Sequence, residues 1–373
     1  VTLYEAVVNG MPSNNTLAGQ IEHMPDLPLP DARKDHDWIS VANAALSTVY
    51  TGLFIDATPE TYAAFDALRE AWIATQKQSV PEAQVDRSLA YGDALGQALL
   101  AWVAGDNFAE TRDMTWEMPG GDAFYWVPTT EGTQPAEPYW GQIRPFGLTW
   151  VDECAQEFNI AYSEDPDSTF YAQAMEVKNV GDDLTEEQRA IARWWVDTPG
   201  ITGTPAGHWV MIENQLVDQL ELNLARASEM YAMTGIALAD AFISCWSLKY
   251  QVNLARPETY IHANIRRSWA PYIQTPPFPE YPSGHSVVSA AAADILTSLF
   301  GVTAFTDSTH VGAGEAPRQF TSFTAAASEA AISRLYGGIH YRTAIENGLE
   351  QGRCIADTLL NNIQLNPISQ GGE

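Results

Sequence analysis

Apolar residues return every three or four positions along most of this chain, a repeat that leaves little room for anything but helices. In PETYAAFDALREAWIATQ (59–76), Tyr62, Phe65, Leu68 and Trp72 fall at helical spacing behind a Thr58 cap. VPEAQVDRSLAYGDALGQALLAWVAGD (80–106) predicts a second long helix. Segments 163–181 and 184–197 follow, both with acidic first turns, where the helix dipole favours them. The stretch 213–252 reads as two helices broken near Gly235, and 285–301, 320–338 and 343–363 complete the set. The opening VTLYEAVVNG reads as the end of a helix whose start is missing, closed by Gly10. Period-two strands are scarce. Residues 107–150 read as a long loop or a short hairpin. The Pro-rich 255–284 reads as a connection between helices, long enough inside an α-protein to suggest a functional loop. The tail from Asn366 reads as frayed. The predicted fold class is all-α, with packed helical bundles in two four-helix-bundle-like halves joined by long loops. The expectation is one domain over 1–373, with the active-site bundle at about 190–365.

Charge narrows the partners. Lys and Arg number 19 against 47 Asp and Glu, a formal net charge of −28. Such a surface disfavours nucleic acid and anionic membranes, which need a basic face. It suits a salty or extracellular setting, where salt screens self-repulsion, so a secreted or periplasmic location is expected. No window approaches the ~18 uninterrupted apolar residues of a membrane span, so no membrane insertion is expected. Three cysteines, Cys154, Cys245 and Cys354, form neither a disulfide framework nor a zinc pattern. Cys245 reads as a buried thiol, and a Cys154–Cys354 bond is possible.

Because basic residues are scarce, their placement is informative. Lys249 and Arg256 lie seven apart around a helix end just before Pro257, a spacing that puts two residues on one helical face. PSGH at 282–285 offers the Ser283 hydroxyl, the freed backbone of Gly284 and His285 at a helix start, where amides cradle anions. Ser333-Arg334 is followed by His340 across Gly337-Gly338, which lets the histidine swing back. Three fixed cations, a hydroxyl, free amides and two imidazoles make an oxyanion site. His23, His36, His208, His262 and His310 read as structural or surface residues.

The three motifs in this order resemble the superfamily of vanadium-dependent haloperoxidases and type 2 phosphatidic acid phosphatases. WWVDTPGITGTPAGHW (194–209), ADAFISCWSLKYQVNLARP (239–257), TPPFPEYPSGHS (275–286) and SRLYGGIHY (333–341) are similar to the bacterial haloperoxidases, with a lean toward iodoperoxidases. The resemblance implies a vanadate cofactor with His340 as its axial ligand. It implies that Lys249, Arg256, Ser283, Gly284 and Arg334 hold the vanadate oxygens. It makes His285 the acid–base group, oriented by Asp197, gives Lys249 the task of polarising bound peroxide, and lines the halide side with Trp246 and Phe278. The substrates implied are hydrogen peroxide and a halide, iodide first and bromide next, with hypohalous acid as product. A soluble acid phosphatase with His340 as nucleophile is the alternative. Phosphatases of the superfamily often carry Asp four residues after the last histidine, where this chain has Ala344. An oxyanion-binding protein is the non-enzymatic alternative. Oligomeric state is left open.

Overall fold

A computed structural model describes residues 1–366; the rest of the tail read as frayed lies outside the described residues. Among the described residues, helices dominate. The one sheet is a ribbon in which Phe305–Asp307 (β1) pairs antiparallel with Arg318–Phe320 (β2). The chain divides into two compact units.

One unit comprises Val1–Asp106, Leu220–Ile236 and the described residues from Leu360 on. It holds α1 (Thr2–Val7), α2 (Trp38–Leu53), α3 (Pro59–Gln76) and α4 (Glu82–Val103). Side chains of Asp37 and Thr58 cap α2 and α3, accepting the otherwise unpaired amides of Ser40 and Thr61. The stripe predicted for α3 exists, but no residue of that helix is buried, and Leu68 and Trp72 remain 59% and 45% exposed.

The other unit comprises Asn107–Gln219 and Ala237–Leu359. Its helices are α5 (Phe108–Arg112), α6 (Thr169–Asp182), α7 (Glu186–Trp194), α8 (Pro205–Gln219), the later part of α9 (Leu224–Val252), α10 (Pro257–Asn264), α11 (Gly284–Phe300), α12 (Phe323–Tyr336) and most of α13 (Arg342–Asn362). The Ala-rich α11 is buried along most of its length, against α12 and α8. Its neighbour α13 approaches closely through two glycines. A Cβ on Gly352 would stand 2.2 Å from the Val287 carbonyl oxygen, and one on Gly348 would stand 2.9 Å from that of Ser283. Cys154 and Cys354 are joined by a disulfide, which ties the loop before α6 to α13.

One expectation needs correcting. The stretch 213–252 breaks at 220–223, and α9 runs unbroken through Gly235. A single helix glycine costs only about 1 kcal/mol, less than the buried neighbours Met233, Ile236 and Ala237 gain by staying in register. Asn223 instead starts α9, its side chain accepting the Arg226 amide. Residues 107–150 are mostly loop, as one of the two readings had it, with α5 and one 3₁₀ turn, Trp140–Gln142, and no hairpin among them. By length and composition α9 could cross a membrane, but 67% of its apolar window is buried inside the fold, as in a core helix.

Candidate active site

The later turns of α9 carry Cys245, Trp246 and Lys249. The helix ends at Val252, because Asn253 takes a left-handed backbone, φ +52°, while its amide still pairs with the Lys249 carbonyl. Arg256 therefore does not share a helical face with Lys249; it is the N-cap residue of α10, in extended backbone. The two cations converge on the Phe278 ring instead, with Lys249 Nζ 5.3 Å and the Arg256 guanidinium carbon 4.9 Å from its centroid. Ser283 caps α11, its hydroxyl accepting the Ser286 amide at 3.4 Å. Beyond α12, the Gly337-Gly338 turn, with Gly338 at φ +79°, brings His340 back beside Arg256.

Every charged member is buried. Lys249 spends its three N–H bonds on carbonyls, those of Pro279 (3.2 Å), Glu280 (3.0 Å) and Pro282. Burial lowers its pKa to about 8. Arg256 donates to the carbonyls of Phe278 and Ile339, each at 2.9 Å, and Nη1 lies 3.1 Å from His340 Nε2. An arginine only donates, so Nε2 of His340 carries the lone pair and Nδ1 the proton. That Nδ1 proton goes to Glu280 Oε1 at 2.9 Å, which also accepts the Tyr341 amide. Burial, reinforced by Arg256 and Lys249, holds the His340 pKa well below its ordinary value. Burial also raises Glu280 to about 7.

His285 Nε2 lies between an acceptor, Asp197 Oδ2 at 3.1 Å, and a donor, Arg334 Nη1 at 3.2 Å. That nitrogen finds a partner with or without a proton. Burial and the Arg334 charge lower its pKa to about 4, outweighing Asp197. Asp197 has left-handed backbone, φ +52°, a strained conformation for a residue with a Cβ. Burial opposes its ionisation, but hydrogen bonds with His208 and His285 win and hold its pKa below the carboxylate range. Arg334 is also held by the Trp195 carbonyl.

Trp246, Phe278, Gly284, His285, Asp197, Arg334 and His340 wall one cavity of about 960 Å³, together with Phe242 and Glu137. Trp246 and Phe278 pack together with centroids 5.0 Å apart and ring planes tilted by 52°. Lys249, Arg256 and Ser283 are not part of that wall; they lie behind it. The free thiol of Cys245 is buried near the Gly284 turn, and burial pushes its pKa up to about 11.

The profile of the VCPO second helical-bundle domain matches residues 264–366. A solved bacterial vanadium-dependent iodoperoxidase is 37% identical over 98% of this chain and 88% of its own, with a TM-score of 0.90. The chain belongs to the vanadium-dependent haloperoxidases. Holo and apo structures of a bacterial vanadium-dependent chloroperoxidase share the fold at 15% identity, with TM-scores of 0.69 and 0.70. They match 97% of this chain and 88% and 91% of their own. Curated proteins give no match. This haloperoxidase is thus an all-α enzyme of halide oxidation by peroxide, with vanadate as cofactor. The donor set fits such an oxyanion, since Arg256 Nη2 and Arg334 Nε are buried without a protein partner.

Four residues of this haloperoxidase's site network escaped the sequence reading. Glu280 sits in the Pro-rich loop but meets a histidine 60 residues away. His208, Asp307 and His310 lie on the far side of Asp197. Ligand-type atoms of Asp197, His208 and His310 fall within 4.8 Å of one another, all buried. His262 instead contacts the Trp269 carbonyl and lines a separate surface cleft.

Proposed function

We propose that this enzyme oxidises iodide in preference to bromide and chloride, at an oxyanion site built on Arg256, Arg334 and His340. The observation that carries the site assignment is the pair of orphaned guanidinium nitrogens, Arg256 Nη2 and Arg334 Nε, with Arg256 Nη1 3.1 Å from the His340 lone pair. Iodide is favoured by the 37%-identical relative described as an iodoperoxidase and by the packed aromatic rings of Trp246 and Phe278, which suit a large, polarisable anion.

Bound vanadate supplies a Lewis-acid centre that activates peroxide toward halide. In our reading His340 Nε2 would ligate the vanadium, with Glu280 fixing the tautomer from behind through Nδ1. Arg334 and the Gly284 amide, at the positive end of α11, would hold the oxygens from the cavity wall, and Arg256 and the Ser283 hydroxyl would reach them from just behind it. Lys249 contributes its charge from behind the wall and donates to an oxygen only by releasing one of its three carbonyls. Asp197 holds Nε2 of His285, leaving Nδ1 to take and return the peroxide protons. Trp246 and Phe278 line the halide side. The Cys154–Cys354 disulfide and the acidic surface support a secreted or periplasmic site of action.

Turnover of iodide, bromide and chloride by the vanadate-loaded protein at fixed peroxide tests the halide assignment. Iodide should give the highest kcat/KM; a higher value for bromide or chloride sinks it. His340→Ala should abolish vanadate binding in equilibrium dialysis.

A further inference from the structure

Behind Asp197 lies a second, deeper histidine with an unusual pair of partners. His208 on α8 is fully buried, and its two ring nitrogens face two different carboxylates. Nδ1 is 2.8 Å from Asp197 Oδ1, and Nε2 is 2.8 Å from Asp307 Oδ2. A neutral imidazole has one N–H and one lone pair, so it would set a lone pair against a carboxylate oxygen. Either His208 carries both protons or one aspartate is a neutral acid. Asp307 is poorly placed to be that acid, because it already accepts from Trp194 Nε1 (3.0 Å) and the Thr309 amide (3.0 Å). The Thr309 hydroxyl stands between the two partners, 2.7 Å from Asp307 Oδ1 and 2.9 Å from His208 Nε2; with Nε2 protonated it donates to Asp307. Asp197 is equally committed, with its other oxygen on His285.

We infer that His208 is a buried, doubly protonated positioning residue that bridges Asp197 and Asp307 and thereby aims Asp197 at His285. This rests on the proposed acid–base role of His285. The chain of contacts runs His285–Asp197–His208–Asp307, and its far end is anchored by Trp194 and Thr309. The groups facing His208 bear out its charge. Asp197 and Asp307 are acidic, the Trp195 ring stacks on it at 4.5 Å, and His310, the one other basic group in contact, lies 4.4 Å away with its own pKa lowered by burial and by His208. Two carboxylates buried without a cation between them would repel, and one would turn away or take up a proton. The bridge removes both outcomes, leaving Asp197 ionised and its second oxygen fixed.

The test has two arms. In wild-type protein without vanadate, nitrogen NMR of His208 at pH 7 should give both ring nitrogens the chemical shifts of an imidazolium. A neutral tautomer there overturns the proposal, and this arm is independent of halide oxidation. The second arm is a double-mutant cycle in kcat for iodide oxidation. His208→Asn, which keeps an amide for Asp197 but removes the charge and the bridge, should lower kcat about tenfold or more. In the Asp197→Asn background the same change should cost less than twofold, because the carboxylate it positions is gone. Equal losses in the two backgrounds would mean a purely structural role and overturn the inference. His208→Gln serves if His208→Asn does not fold, and the NMR arm needs no variant. Vanadate affinity of the variants, read by dialysis, should stay within about twofold of wild type. A large loss of affinity would place His208 in anion binding and also overturn the inference.

Discussion

Residue by residue, the site is a problem of buried charge. Three cations at almost no exposure lose water, which is why Lys249, Arg256 and Arg334 all have lowered pKa values; repulsion adds to this for Lys249, from Arg256, and for Arg256, from Arg334. Glu280 is the anion set among them. Its charge also strengthens the Nδ1 hydrogen bond of His340 and so the donor power of Nε2. Glu280→Gln, which keeps an acceptor but removes the charge, should weaken vanadate binding about tenfold in a dialysis or calorimetric titration while the fold persists. His208 gives a pH-dependent prediction. Burial pulls its pKa down, but Asp197 and Asp307 raise it from 6.5 to about 9. Below pH 6.5 folded and unfolded chains both carry the proton, and the ion pairs contribute in full. Between there and about 9 only the folded chain holds it, so stability falls as pH rises. The contribution, about 3 kcal/mol by linkage, should appear as a steeper loss of thermal stability over that window in wild type than in His208→Asn. The residues legible in sequence were those that sit in short motifs: Lys249, Arg256, Ser283, His285, Arg334 and His340. Glu280 and Asp307 were not, because they act through contacts across 60 and 99 positions that leave no local spacing to read. His208 lies only 11 positions from Asp197, inside the segment 194–209, but a single histidine on a helix gives no sign of the two carboxylates it meets.

At the level of elements, the helices were legible because period and caps agree along the chain. Their joints were less so. Gly235 looked like a break, yet it is a tolerated glycine inside a well-packed helix. The Lys249–Arg256 spacing looked like two turns of one helix, whereas left-handed Asn253 ends the helix first and a short loop makes the convergence. The seat of the PSGH turn is set from below by α13. Gly348 lets that helix approach within contact of the Ser283 carbonyl, while Gly352 meets Val287 one turn further from the site. Both Gly348→Ala and Gly352→Ala should destabilise the protein by about 1–3 kcal/mol in denaturant unfolding, since a Cβ would strike backbone oxygen. Only Gly348→Ala should also lower vanadate affinity, because it alone displaces the residue that caps α11.

For the whole molecule, composition limited the function classes but did not locate the site. The −28 charge disfavoured nucleic acid as a partner, yet the chemistry gathers in the unit that buries its few cations. The Cys154–Cys354 pairing was open in sequence because its partners are 200 positions apart; the structure closes it and leaves one thiol, Cys245. That leftover thiol has a consequence for the enzyme's lifetime. Hypohalous acids attack thiolates fastest and thioethers readily. Cys245 lies close to where such an oxidant forms, but it is walled off and kept as the thiol. Met114 and Met118, by contrast, are 44% and 48% exposed. Sustained turnover should therefore leave sulfoxide on Met114 and Met118, seen by peptide mass spectrometry, before any oxidation of Cys245, so that wear falls on surface sulfur while the catalytic floor stays chemically intact.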